Sequence, residues 1–206
     1  MTDKKLKILG ISGSPRNSAT LFAVKQALQV VEELGIETDL LSMQGKKFSL
    51  CVDCGRCIKE NSIECVAFQD GITGWATRFL EYDGYIIASP VYDVNISAQL
   101  QGFFNRMRSN WILLENNPHY YAKKCGGAIA VGGTRYGGQE LVLNAINNYY
   151  LSLGIKAISG GPYAYVGAGV CSKDKGAEGV AEDLEGMESI KALAKSVGLA
   201  VLNSNK

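Results

Sequence analysis

The sequence predicts an α/β fold in which five parallel strands make a doubly wound sheet with helices on both faces. Three observations predict it. Short apolar runs of strand length alternate with amphipathic segments of helical period. The alternation continues through the 206 residues with no internal repeat or low-complexity linker, so residues 1–206 read as one domain. Three loops with unusual residues follow strand candidates directly, as expected where an open parallel sheet collects its ligands beyond the carboxyl ends of the strands.

Leu6–Ile11 is the first strand candidate, ending in the turn-rich stretch Ser12–Ser18. Leu21, Val24, Leu28 and Val31 then recur at helical spacing, Gly35-Ile36 marks the helix exit, and Glu37–Ser42 supplies a second strand, giving a βαβ unit. Residues 43–70 have little apolar periodicity and read as one long loop. Loops of that length inside a compact domain usually carry function. A short helix follows with Ile72, Trp75 and Phe79 on one face, then a buried strand over Tyr82–Ser89 ended by Pro90. Leu100, Phe103, Phe104 and Met107 mark the next helix, with Ser97 as its N-cap, and Gly126–Val131 is the fourth strand. After the glycine-rich loop Gly132–Gly138, a helix places Val142, Ile146, Tyr149 and Leu153 inward. Ile155–Ser159 is the fifth strand candidate, and a last amphipathic helix runs through Leu184, Met187, Ile190, Ala194, Val197 and Val201.

Composition narrows the function. Lys and Arg number 21 against 20 Asp and Glu, with one His, so the near-neutral chain offers no electrostatic case for nucleic acid or an anionic membrane surface. At 47% hydrophobic and 20% charged residues it is neither disordered nor fibrous. No apolar stretch approaches the roughly 18 residues of a membrane span, and Met1–Leu6 lacks the apolar run of a secretory signal. A soluble, cytoplasmic protein is expected.

The first loop offers hydroxyls at Ser12, Ser14, Ser18 and Thr20, a guanidinium at Arg16 and the opening amides of a helix, a combination suited to a phosphate. It matches neither the Walker nor the dinucleotide glycine pattern, and a plain Ser-capped helix after a Pro turn stands beside the phosphate reading. The second loop, Ser89–Ser97, would bring exposed backbone to the same crevice, where it either reads a planar ring or simply connects strand to helix. In the third, glycines around Arg135 and Tyr136 let main chain pass close to a flat ligand or merely form a flexible turn. Convergence of all three at one sheet edge favours ligand binding.

Gly13-Ser14-Pro15-Arg16, Ser89-Pro90-Val91-Tyr92 with Gln99-Leu100, and Gly132–Glu140 together resemble the flavin-contacting segments of the NAD(P)H-dependent FMN reductase-like branch of the flavodoxin superfamily. The similarity runs over most of the chain, in order and spacing. It implies a flavodoxin-like fold in which Ser12, Ser14, Arg16, Asn17, Ser18 and Thr20, with Pro15 between them, hold the FMN phosphate. It implies that Ser89, Pro90, Val91 and Tyr92 line one side of the flavin ring, and Thr134, Arg135, Tyr136, Gly137 and Gly138 the other.

Of six cysteines, Cys51, Cys54, Cys57 and Cys65 fall within fifteen residues, while Cys125 and Cys171 stand alone. Without a secretory signal they read as a metal site before disulfides. The x2, x2, x7 spacing puts three thiolates on a tight turn and brings a fourth from a short loop, resembling the compact part of a ferredoxin motif without its x3-Cys-Pro ending. Zinc held by four thiolates and inert or transiently oxidised thiols are the alternatives. Among flavodoxin-like reductases the motif resembles that of the iron–sulfur flavoproteins, which implies a [4Fe–4S] cluster on these four residues.

His119 reads as part of a turn, Gly167-Ala168-Gly169 as half a dinucleotide fingerprint placed after the last strand, and Lys173-Asp174-Lys175 as solvated loop. Cys125 reads as core. The resemblance implies an FMN and [4Fe–4S] electron-transfer oxidoreductase, fed by a ferredoxin-like protein or NAD(P)H, reducing a small-molecule acceptor such as a quinone or an oxygen species, and assembled as a homodimer or homotetramer. The alternatives are an FMN-only NAD(P)H-dependent quinone or azo reductase with non-ligating cysteines, and a zinc-stabilised binding module.

Overall fold

The computed structural model describes residues 5–205, so the reading of Met1–Lys4 lies outside the described residues. In chain order the strands are β1 (Lys7–Ser12), β2 (Glu37–Ser42), β3 (Gly84–Pro90), β4 (Cys125–Gly132), β5 (Lys156–Ala157) and β6 (Ala168–Cys171). The helices are α1 (Ala19–Glu32), α2 (Arg56–Lys59), α3 (Trp75–Arg78), α4 (Ala98–Arg106), α5 (Trp111–Asn116), α6 (Gln139–Leu153), α7 (Gly176–Glu182) and α8 (Leu184–Ser204). All strand pairs are parallel, in the order β2-β1-β3-β4. At the outer edge, β5 pairs with the start of β4 at Cys125 and Gly126, and β6 with its end, from Ile129 to Gly132. The fifth position is therefore one strand split in two, and the order is that of a flavodoxin-like sheet.

The split corrects two readings. Only Lys156 and Ala157 of the expected Ile155–Ser159 strand pair with the sheet, and Gly167–Gly169 lies at the beginning of β6 rather than after the last strand. The physical reason is close approach: a Cβ on Gly167 would lie 2.5 Å from the Ala128 carbonyl oxygen. The long loop also contains a single helical turn, α2.

Side chains of the central strands alternate between two cores, as the period-2 pleat demands. Leu9, Ile11, Tyr85, Ile87, Ala128 and Ala130 face α4 and α6, where Phe103, Val142, Ile146 and Tyr150 meet them. Ile8, Ile86, Ala88, Ile129 and Val131 face α1 and α8, against Val24, Leu28, Leu193 and Val197. Both faces being covered, β3 and β4 are buried along their whole length, which is why they read as continuous apolar runs. Gly126 leaves room for the Tyr150 ring, whose nearest atom would lie 2.6 Å from an added Cβ, and Tyr150 Oη donates to the Gly127 carbonyl at 2.9 Å. Among the described residues no helix is long and apolar enough to cross a membrane.

Candidate functional site

The first loop leaves β1 with the Gly13 amide donating to the Ala88 carbonyl at 2.8 Å, and the Arg16 amide donating to Ser14 Oγ at 3.1 Å. No side chain caps the first turn of α1 and no acidic residue stands in it. Its amides and their partial positive charge are thus open to an anion. The second loop turns over Tyr92–Asn95, whose two backbone groups exchange hydrogen bonds of 3.0 and 2.9 Å around Asp93 and Val94, at φ 47° and 61°. A β-branched residue at positive φ is strained by about 1–3 kcal/mol. Its location is informative: Val94 underlies the third loop, and a Cβ on Gly138 would lie 2.6 Å from Val94 Cγ1.

Ser97 caps α4 as expected, accepting from the Leu100 amide at 3.1 Å, and the same hydroxyl donates to the Gly13 carbonyl, tying the first two loops together. Gln139 clamps the third loop. Its Oε1 accepts from the Gly137 amide at 2.8 Å and its Nε2 donates to the Thr134 carbonyl at 2.6 Å.

Between these loops lies a cavity of about 180 Å³. Ser14, Arg16, Ser18 and Thr20 form one wall, and Pro90, Val91 and Tyr92 another. Arg16 pairs with no carboxylate among the described residues. Three hydroxyls, an unpaired guanidinium and an uncapped helix start are the donor set a phosphate monoester requires, and it fits the phosphate end of FMN. The remaining candidates stand outside the cavity lining. Ser12 is fully buried at the end of β1, its hydroxyl without a partner among the described residues. Pro15 and Asn17 lie off the lining, and Ser89 is buried behind it, where its Oγ accepts from the Ser97 amide at 3.0 Å. Thr134, Arg135, Tyr136, Gly137 and Gly138 stand beyond the rim; of the third connection only Val131 and Gly133 line the cavity. Arg135 is turned to Asp183, the buried N-cap of α8, and lies 3.7 Å from Glu185.

A fourth loop, after β6, closes the cavity with Ser172, Asp174 and Gly176. Sequence reasoning missed it because Ala168–Cys171 is too short and glycine-interrupted to read as a strand. The only signal was Gly167, which lets the chain approach β4 at Ala128.

Cys51, Cys54, Cys57 and Cys65 line one small cavity among Val52, Ile58, Val66 and Ala67. All four thiols are unpaired in disulfides. Burial pushes the Cys57 thiol up, and the proximity of the Cys65, Cys51 and Cys54 sulfurs raises it further. Asp53 and Gly55, at φ 51° and 66°, make the tight turn between the first three cysteines. Among the described residues no three His, Cys, Asp or Glu side chains converge as the donors of a single metal ion would. A cubane cluster asks for something different, since each thiolate binds a different iron at a separate corner. Four thiols around one apolar-walled cavity fit that donor set.

The loop's ends are fastened by a pair that sequence reasoning did not find. Arg106, buried at the end of α4, donates to Asp70 Oδ2 at 2.7 Å and to the Ser49 carbonyl at 2.8 Å. Burial alone would raise the Asp70 carboxyl, but hydrogen bonds from Arg106 and from the Ser49 and Ile72 amides outweigh it and hold the group below the usual aspartate value. α4 thus begins at Ser97, whose hydroxyl is bonded to the first loop, and ends at the cysteine loop, about 14 Å away at 1.5 Å per residue. A larger groove of about 560 Å³ runs from Cys51 to Trp111 and Tyr149; its charged residues, Asp53 and Arg108, are paired with each other at 3.1 Å.

Residues 6–168 match the family described as NADPH-dependent FMN reductase. An iron-sulfur flavoprotein of Archaeoglobus fulgidus is 39% identical over 91% of this chain and 93% of its own length. One from Methanocaldococcus jannaschii is 38% identical over 90% of this chain and 92% of its own. Among solved structures, a WrbA-like flavodoxin protein from Agrobacterium tumefaciens superposes with a TM-score of 0.62 at 14% identity, covering 97% of this chain and 98% of that one, a likeness of fold.

Proposed function

The chain belongs to the NADPH-dependent FMN reductase family, among its iron–sulfur flavoproteins, and from that premise we propose that this FMN-dependent oxidoreductase also holds a [4Fe–4S] cluster and passes electrons between the two centres. The observation that carries the reading is the placement of two separate donor sets at the two ends of α4: hydroxyls and a guanidinium at one, four thiols at the other. When bound, FMN exchanges electrons in pairs or singly and the cluster one at a time.

The chain's own contribution is binding and orientation. Ser14, Ser18, Thr20 and Arg16 hold the phosphate, with the opening amides of α1 behind them. The Tyr92–Asn95 turn and Gly133 bring backbone to the cavity, and Gln139 and Ser97 keep the loops in register. Cys51, Cys54, Cys57 and Cys65 ligate iron, and the Arg106–Asp70 pair fixes the ends of their loop to the helix whose N-cap, Ser97, is bonded to the first loop of the flavin site. The donor is NAD(P)H or a ferredoxin-like redox protein, and the acceptor a small oxidant such as a quinone or an oxygen species. The working protein is a homodimer or homotetramer of a reducing cytoplasm. Neither nucleic acid nor membrane is a partner.

Substitution of one ligand tests the reading. Cys54→Ala, at the most exposed of the four thiols, is expected to abolish the iron–sulfur absorbance and leave one FMN per chain. Iron retained at the wild-type level would overturn the ligand assignment.

A further inference from the structure

The fourth loop carries an acidic side chain into a cavity otherwise furnished for an anion. Ser172 anchors it, its amide and Oγ both donating to the Gly132 carbonyl, at 2.8 and 3.1 Å. Lys173 and Asp174 then take left-handed conformations, at φ 47° and 55°, before Gly176 at φ 66°. The course of this loop across the cavity can be read from two glycines. A Cβ on Gly176 would lie 2.8 Å from Ser18 Oγ, so the loop reaches the phosphate wall; one on Gly133 would lie 2.4 Å from Asp174 Oδ1, so the carboxylate rests against the third connection. Asp174 is exposed at the rim and accepts no hydrogen bond among the described residues. It shares the cavity with the unpaired Arg16, yet the two do not pair with each other. An ionised carboxylate only accepts. A single ligand that satisfies both groups must present an anion to one and hydroxyl or amide donors to the other.

FMN has that layout, its ribityl hydroxyls lying between phosphate and ring. Resting on the FMN reading, we propose that residues 172–176 form a fourth wall of the flavin site, and that Asp174 accepts hydrogen bonds from the ribityl hydroxyls and makes the site selective for a flavin phosphate with an intact polyol over one without it. The loop lies beyond the residues 6–168 matched by the family. A side chain at Gly133 would displace the carboxylate from this place.

The experiment is a fluorescence-quenching titration of the flavin-stripped full chain with two ligands, FMN and an isoalloxazine phosphate whose ribityl group is replaced by a pentyl chain. Wild type is expected to prefer FMN. Asp174→Ala is expected to weaken FMN about tenfold, the lower end of what a hydrogen bond to a charged group contributes at an exposed position. The same substitution should leave the pentyl analogue within about twofold. Asp174→Asn, which keeps size and one acceptor, should fall between. Equal weakening of both ligands would make Asp174 a structural residue and overturn the proposal, as would unchanged binding. Tighter FMN binding in Asp174→Ala would mean that the carboxylate repels the phosphate, and would overturn it too. Wild type failing to bind FMN would sink the flavin reading itself, a result distinct from any of these.

Discussion

Replacing Arg106 by Met removes a guanidinium that is 3% exposed and leaves its partner, Asp70, at 16% exposure. Two short charge-assisted hydrogen bonds are lost, to Asp70 Oδ2 and the Ser49 carbonyl, together with a long one of 3.5 Å to the Phe68 carbonyl that adds little. At about 1.5–3 kcal/mol each the two short ones sum to about 3–6 kcal/mol. Asp70 keeps the Ser49 and Ile72 amides, at 3.0 and 3.3 Å, and rehydrates in part, so the lower end applies. We therefore expect Arg106→Met to cost about 3 kcal/mol, in the range for breaking a buried ion pair, and to lower Tm by roughly 10 °C. Urea denaturation of Arg106→Met, Asp70→Asn and the double variant gives the coupling, expected near 2 kcal/mol because the double variant leaves no unpaired charge. The iron content of Arg106→Met should fall while FMN binding persists, because the clamp holds the cysteine loop rather than the phosphate wall. A cost below about 0.5 kcal/mol, or a coupling near zero, would refute the clamp.

Three further outcomes are expected. The lowered Asp70 carboxyl contributes stability that is full above the unfolded value of about 3.9 and is lost as pH falls through the folded one, so wild type should lose stability below about pH 4 more steeply than Asp70→Asn, read by urea midpoints against pH. Burial pushes the Cys125 thiol up and removes it from solvent, so iodoacetamide at pH 8 should label the exposed Cys54 of iron-free protein and spare Cys125 until the chain unfolds; equal labelling, read by peptide mass, would contradict the fold. Ser97→Ala leaves the Leu100 amide and the Gly13 carbonyl without their shared hydroxyl in a fully buried position, which should cost about 1–2 kcal/mol in urea and weaken FMN, since the first two loops are no longer tied.

What could be read from residues alone follows from how local each feature is. β1, β3 and β4 declare themselves through runs of Ile, Val and Ala because both faces of each are buried, and α1 and α8 through helical spacing of Leu, Ile and Val. The cysteine motif is legible for the same reason: its members lie close in sequence. The split fifth strand is not, since Lys156-Ala157 is too short and Ala168–Cys171 is entered through Gly167, whose missing side chain admits the backbone of β4. Arg106 and Asp70 stand 36 residues apart, so nothing local in the sequence announces their pairing. Arg135 lay inside a loop expected to touch the flavin, yet its guanidinium answers to a carboxylate 48 residues away. Asp174 read as solvated loop and is indeed exposed; that its exposed side faces the cavity is set by β6, the strand the sequence hid.

The two-centre account is tested most directly by one determination on anaerobically purified protein: its absorbance spectrum, with iron, acid-labile sulfide, zinc and FMN counted per chain. The account predicts flavin bands over a broad brown shoulder, with about four iron, about four sulfide and about one FMN per chain. Zinc in place of iron, or flavin without iron even after anaerobic reconstitution, would contradict it.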